Sequence, residues 1–284
     1  MNYKYSLDNS SRKFNCPKCQ KKTFVRYLDN ETGSYLNYNI GRCDRESKCQ
    51  YHLKPNGNTT LSKLISIIEC QNPTVLHFDN VLQSIKGTVR NNNLIKFLLQ
   101  YFTYSEVRKA ILEYNIGMSD HWKGATIFWQ MDHHLNLYSG KIMLYDPISG
   151  KRVKHPYPHI NWVHKVYGIS NFVLRQCLFG IHNLYTRDLQ TIVCIVESEK
   201  TAIIMSLIFP KYLWLATGSK SNFKLSLLEP LFNHNIVVYP DKSEYEDWHK
   251  KTQIFKTKGF KIKCSNYLEG LAQQEGIDLA DIFV

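Results

Sequence analysis

The rhythm of apolar and polar positions changes along this chain and divides it. Residues 1–58 are polar and rich in Cys, Asn and Gly, with little helical periodicity. A break, "KPNGNTT", follows at 54–60. From Leu61 to Cys70, "LSKLISIIEC" spaces its apolar residues as an amphipathic helix does. "NNNLIKFLLQYF" predicts a second helix, with Asn residues available as N-cap. In "TYSEVRKAILEYNIG", Thr103 and Glu106 have capping-box spacing, and Gly117 is placed to stop the helix.

The pattern then turns to short β-branched and aromatic runs: "ATIFWQMD", "HLNLYSGKIMLYD" and "KRVKHPY". Turn signals such as "DPISG" separate them, which predicts hairpins. From residue 189 strands and helices alternate. "TIVCIV" precedes "EKTAIIMSLIF", "YLWLAT" precedes "GSKSNFKLSLLEPLF", and "NIVVYP" precedes "EYEDWHKKTQIFKTKG"; the strand "FKIKCSN" comes last. Such alternation implies a parallel sheet with helices packed on it. The predicted class is α/β, in four parts: a zinc ribbon at 1–58, a helical connector at 59–118, a strand-rich α+β segment at 119–188, and a parallel-sheet domain at 189–284.

Composition narrows the function classes. No apolar run reaches the ~18 residues of a membrane span, and the polar start "MNYKYSLDNSSRK" is no signal peptide. A soluble, cytoplasmic protein with no membrane partner is expected. The net charge of +12 favours polyanionic partners. Within residues 1–60 there are 11 Lys+Arg against 5 Asp+Glu, interleaved with Tyr27, Tyr35, Tyr38 and Tyr51. Basic groups beside aromatic faces suit single-stranded nucleic acid. The same tyrosines could equally pack the small domain.

Four of the eight cysteines cluster, as "CPKC" at 16–19 and "CDRESKC" at 43–49. Two paired knuckles predict a closed, structural zinc site on Cys16, Cys19, Cys43 and Cys49. The second pair is wide, so His52 is an alternative to Cys49. Cys70, Cys177, Cys194 and Cys264 lie singly and read as buried, reduced thiols.

The remaining chemistry sits where strands end. In open parallel sheets ligands bind beyond the carboxyl ends of the strands. Glu197 follows "TIVCIV", Asp241 follows "NIVVYP", and Gly218 follows the strand between them. Carboxylates on rigid supports are what a divalent-metal phosphoryl-transfer site needs. For either acid alone, the first turn of the next helix explains it as well.

"VESEKTAI" resembles the glutamate motif of Toprim domains. "YPDKS" stands in the place of their Asp-x-Asp motif, and "ATGSKS" in the place of the loop between. Upstream, "EYNIG", the paired strands "ATIFWQMD…GKIMLYD", "NWVH" and "LFGIHNL" follow the order seen in DnaG-type primases. The chain is similar to the short primase-like proteins of bacterial mobile elements. That resemblance implies a Toprim-like domain at 189–284 and a primase that binds single-stranded DNA and nucleotides. It implies RNA primers made by Mg²⁺-dependent nucleotidyl transfer, with a separate helicase as a partner. Glu197 and Asp241 would be catalytic and would hold Mg²⁺, with Asp278 as a further ligand. Lys141, Arg152, Lys200, Gly218 and Lys220 would face nucleotide or template. Ser243 stands where the second acid of the pair belongs, and Ser243→Asp is expected to strengthen a merely weakened site. Two rivals follow: a Toprim/zinc-ribbon binding protein without catalysis, and a Toprim nuclease.

Overall fold

The computed structural model describes residues 4–45, 47–55, 72–271 and 277–284. The helix expected at 61–70, with Cys70, lies outside the described residues. The chain divides into two compact units, 1–71 and 72–284.

The first unit is an antiparallel sheet. Its strands are β1 (Tyr5–Leu7), β2 (Phe14–Asn15), β3 (Lys22–Asp29), β4 (Gly41–Cys43) and β5 (His52–Leu53). They run in the order β1-β3-β4-β5, with β2 also paired to β3. Among the described residues the buried apolar cluster is Phe24 with Cys16, Cys43 and Cys49. So small an apolar core does not hold a fold by itself, so a metal crosslink has a structural role to fill.

The second unit opens with helices α1 (Asp79–Ile85), α2 (Thr88–Asn91), α3 (Asn93–Leu98) and α4 (Tyr104–Glu113). Asn92 caps α3, its side chain accepting from the Leu94 and Ile95 amides. Thr103 and Glu106 form the expected capping box on α4. Gly117 does not stop that helix. Tyr114 is the C-cap, and Asn115 takes the left-handed conformation at φ +50°. Gly117 instead opens a strand, where a Cβ would lie 2.3 Å from Ser84 Oγ, so the position needs glycine.

An antiparallel sheet follows in the order β6-β7-β8-β9: β6 (Gly117–Ser119), β7 (Ala125–Met131), β8 (Leu137–Met143) and β9 (Ile160–Trp162). The predicted strand "KRVKHPY" reduces to one bridge between Tyr145 and Arg152. A short helix, α5 (Val163–Val166), leads on.

The parallel sheet has the order β11-β10-β12-β13: β10 (Val193–Val196), β11 (Leu213–Ala216), β12 (Ile236–Val238) and β13 (Ile262–Cys264). Helices α6 (Glu199–Ile208), α7 (Leu225–Leu228) and α8 (Tyr245–Thr257) connect its strands. Alternate residues of one strand face opposite sides. Cys194, Val196, Trp214 and Ala216 therefore join one core, while Val193, Ile195, Leu213 and Leu215 join another. Burial on both faces is why these strands read as unbroken apolar runs. The fold is mixed α/β with an N-terminal ribbon. Among the described residues no helix is long and apolar enough to cross a membrane.

Candidate metal centres

The ribbon brings its four cysteines together. All four sulfurs lie within 4.8 Å of one another. Cys16 and Cys49 are 3.6 Å apart, and Cys19 and Cys43 are 3.9 Å apart. Tetrahedral zinc at ~2.3 Å from each thiolate sets sulfurs ~3.8 Å apart, so the donor set fits zinc. Burial pushes the Cys16 thiol up to about 12, while the Lys21 backbone N–H holds Cys19 down to about 6. Cys49 is a member of the cluster and His52 is not. The His52 ring stacks on Tyr27, and its Nε2 lies 3.1 Å from the Tyr27 hydroxyl. Of the ribbon tyrosines, Tyr35 donates to Asp8 and Tyr51 donates to the Asn39 carbonyl, while Tyr38 is exposed.

A second centre lies at the carboxyl ends of the parallel strands, around a cavity of about 510 Å³. Glu197, Asp241 and Asp278 all line it, together with Glu199 and Asp281. Glu197 follows β10, and Asp241 lies beyond the end of β12, which is paired in register with β10. Asp278 belongs to a short turn ending in Ala280–Ile282. Thr201, on α6, donates from its hydroxyl to Asp278 Oδ2 at 2.7 Å, and the Ala280 amide donates to Oδ1 at 2.9 Å.

Crowding leaves a mark on the acids. Burial, then the charges of Asp278 and Glu197, push the Asp241 carboxyl up to about 8. Burial also raises Glu197, against an N–H bond from the Lys220 backbone. Hard carboxylate oxygens brought to one cavity, Glu197 and Asp241 with raised pKa values, are a donor set suited to Mg²⁺.

The predicted basic residues divide. Arg152 and Lys200 line the cavity, with Lys200 Nζ 3.9 Å from Asp281. Lys141 lines it too, but its ammonium is bound to Glu199 and to the Gly218 carbonyl. Gly218 is at the cavity with φ +73°. Lys220 is not among the lining residues; its Nζ pairs with Glu244 at 2.7 Å. Ser243 is also outside the lining. It is exposed, at φ +76°, and its amide donates to Glu269. Sequence reasoning missed Glu199, Thr201, Lys151 and Lys154. The last two follow Gly150 in a loop that lines the same cavity, and their charge run was the available signal.

Two family profiles and several solved structures are similar to the chain. The profile of a family described as a domain of unknown function, DUF6371, matches residues 92–242. That of a zinc beta-ribbon finger matches residues 3–63. None of the curated proteins compared with the chain matches it. The solved structures it is similar to are DnaG-type primase domains. One is the RNA polymerase domain of Mycobacterium tuberculosis primase DnaG, at 10% identity and TM-score 0.47, covering 72% of this chain and 76% of that one. Another is the primase fragment of the bacteriophage T7 primase-helicase protein, at 14% and 0.40, covering 95% and 93%. A third is the Aquifex aeolicus primase, zinc-binding and RNA polymerase domains, at 10% and 0.40, covering 98% and 76%.

Proposed function

The chain belongs to the DUF6371 family, and from that starting point we propose that it is a primase-like protein, binding single-stranded DNA and joining ribonucleotides with divalent metal. One observation carries the reading: Glu197, Asp241 and Asp278, from three separate segments, line one cleft together with Lys151, Arg152, Lys154 and Lys200. Mg²⁺ held there would neutralise charge on the phosphates and favour attack by a 3′-hydroxyl. The rest falls to the chain itself. Thr201 and the Ala280 amide fix the Asp278 carboxylate. Lys151, Arg152, Lys154 and Lys200 offer positive charge to phosphates of nucleotide or template. Gly218 leaves the floor of the cleft clear of a side chain. In this reading residues 1–58 bind zinc and grip DNA, 59–118 connect, 119–188 guide the template, and 189–284 form a Toprim-like catalytic domain. Unwinding falls to a separate helicase.

The test is direct. Purified protein, single-stranded DNA, labelled ribonucleotides and Mg²⁺ or Mn²⁺ are expected to give short labelled products, which disappear in Asp241→Asn. DNA binding should weaken steeply with salt, as counterion release requires. A second reading, a binding module without catalysis, draws on the exposed Ser243 where the motif has an acid. It wins if no product forms with either metal while Glu197→Gln binds DNA as well as wild type. Cleaved DNA without primer synthesis would instead mark a nuclease.

A further inference from the structure

By charge alone Lys141 looks like a phosphate partner, and its geometry argues against that. An ammonium has three N–H donors and no more. Lys141 Nζ lies 3.0 and 3.1 Å from the two Glu199 oxygens and 2.8 Å from the Gly218 carbonyl. All three donors are therefore used. The two side chains are only 11% and 2% exposed. Gly218 is fitted to the same arrangement. A Cβ there would lie 2.8 Å from Glu199 Oε1, at a φ of +73° that other residues rarely adopt.

Three segments thus meet at one ammonium: β8 of the antiparallel sheet, the first turn of α6, and the chain leaving β11. Both ends of this junction bear on Glu197. Glu199 follows it by two residues, and the Gly218 amide donates to the Glu197 carbonyl at 2.8 Å. We propose that Lys141 is a positioning residue, a buried strut that sets how Glu197 and the Gly218 loop face the cleft, and not a phosphate ligand. This rests on the metal reading of the same cleft.

The experiment measures melting temperature, Mn²⁺ affinity and ATP affinity for wild type, Lys141→Met, Glu199→Met and the double variant. Lys141→Met leaves a buried carboxylate unpaired, so its melting temperature should fall by about 10 °C. Its Mn²⁺ affinity should fall about 10- to 100-fold, as when a group supporting a metal ligand is lost. The double variant replaces a buried ion pair with an apolar pair of similar size. It should recover most of both losses. The proposal is overturned if Lys141→Met weakens ATP binding while leaving melting temperature and Mn²⁺ affinity unchanged. It is also overturned if the double variant is no better than Lys141→Met. Asp241→Asn separates the two readings. If it binds Mn²⁺ like wild type, the metal reading fails, and the melting temperatures alone still decide the strut.

Discussion

The ribbon and the cleft each crowd ligands of one kind into a few ångströms, and they hold them by different means. In the ribbon the ligands are the core. Among its described residues, Cys16, Cys43 and Cys49 are buried beside Phe24, and Val25 is the one other buried apolar side chain. In the cleft the acids stand on a frame that is complete without them, since β10 is buried on both faces and paired on both edges. The lesson is one of roles. Metal in the ribbon would make the fold, whereas metal in the cleft would relieve a strain the fold already tolerates.

That contrast can be broken most sharply at the thiols. Structural zinc contributes about 10–16 kcal/mol of apparent binding energy to domains of this kind. Cys16→Ser is therefore expected to lose the zinc, about one per chain in wild type by metal analysis, and to loosen residues 4–55. Cys49→Ser should do the same and His52→Ala should not. Full zinc occupancy in a Cys16/Cys19 double variant would sink the assignment.

At the acids the expected effect is smaller and opposite in sign. An acid whose folded-state pKa is raised stabilises the fold only while protonated. For Asp241 that contribution is full below its ordinary value of 3.8 and is lost as pH rises towards about 8. Without divalent metal, thermal stability should fall across that window, by up to about 6 kcal/mol. Asp241→Asn should flatten the profile and raise stability at neutral pH while losing Mn²⁺ binding. If its profile matches wild type, the crowding is not there.

Three further substitutions test what lies outside the cleft. Ser243→Gly should gain about 1 kcal/mol, because the left-handed backbone at this position costs serine that much. Ser243→Asp should leave Mn²⁺ affinity unchanged, since residue 243 is outside the cleft; a clear gain would put it back in the site. Smallest of all, Lys220→Ala should change stability by less than ~1 kcal/mol, because the Lys220–Glu244 pair is at the surface.

Much of this was legible because it is local. The cysteine spacing gives the zinc set. A β-branched run ending in Glu197 gives a buried strand with an acid at its tip. Thr103 and Glu106 give their helix start. The misses are relations between distant residues. Nothing near Lys141 in the chain says that Glu199, 58 residues away, will take its charge. Gly117 looked like a helix stop because its real constraint, Ser84 and Trp129 filling the space a Cβ would need, comes from elsewhere in the chain. Ser243 read as a weakened ligand because register in a loop cannot be counted from a motif.

The turn that carries Asp278 has a practical use. The Ala280 and Asp281 amides both donate to Asp278 Oδ1, at 2.9 and 3.2 Å. Any cation drawing on that carboxylate must alter the field at these two protons. In an amide NMR spectrum they are ready-made reporters, shifting on titration with Mg²⁺ before any nucleotide or DNA is present. The amides of Val193 and Cys194, paired with both β11 and β12, should stay still and serve as the internal standard.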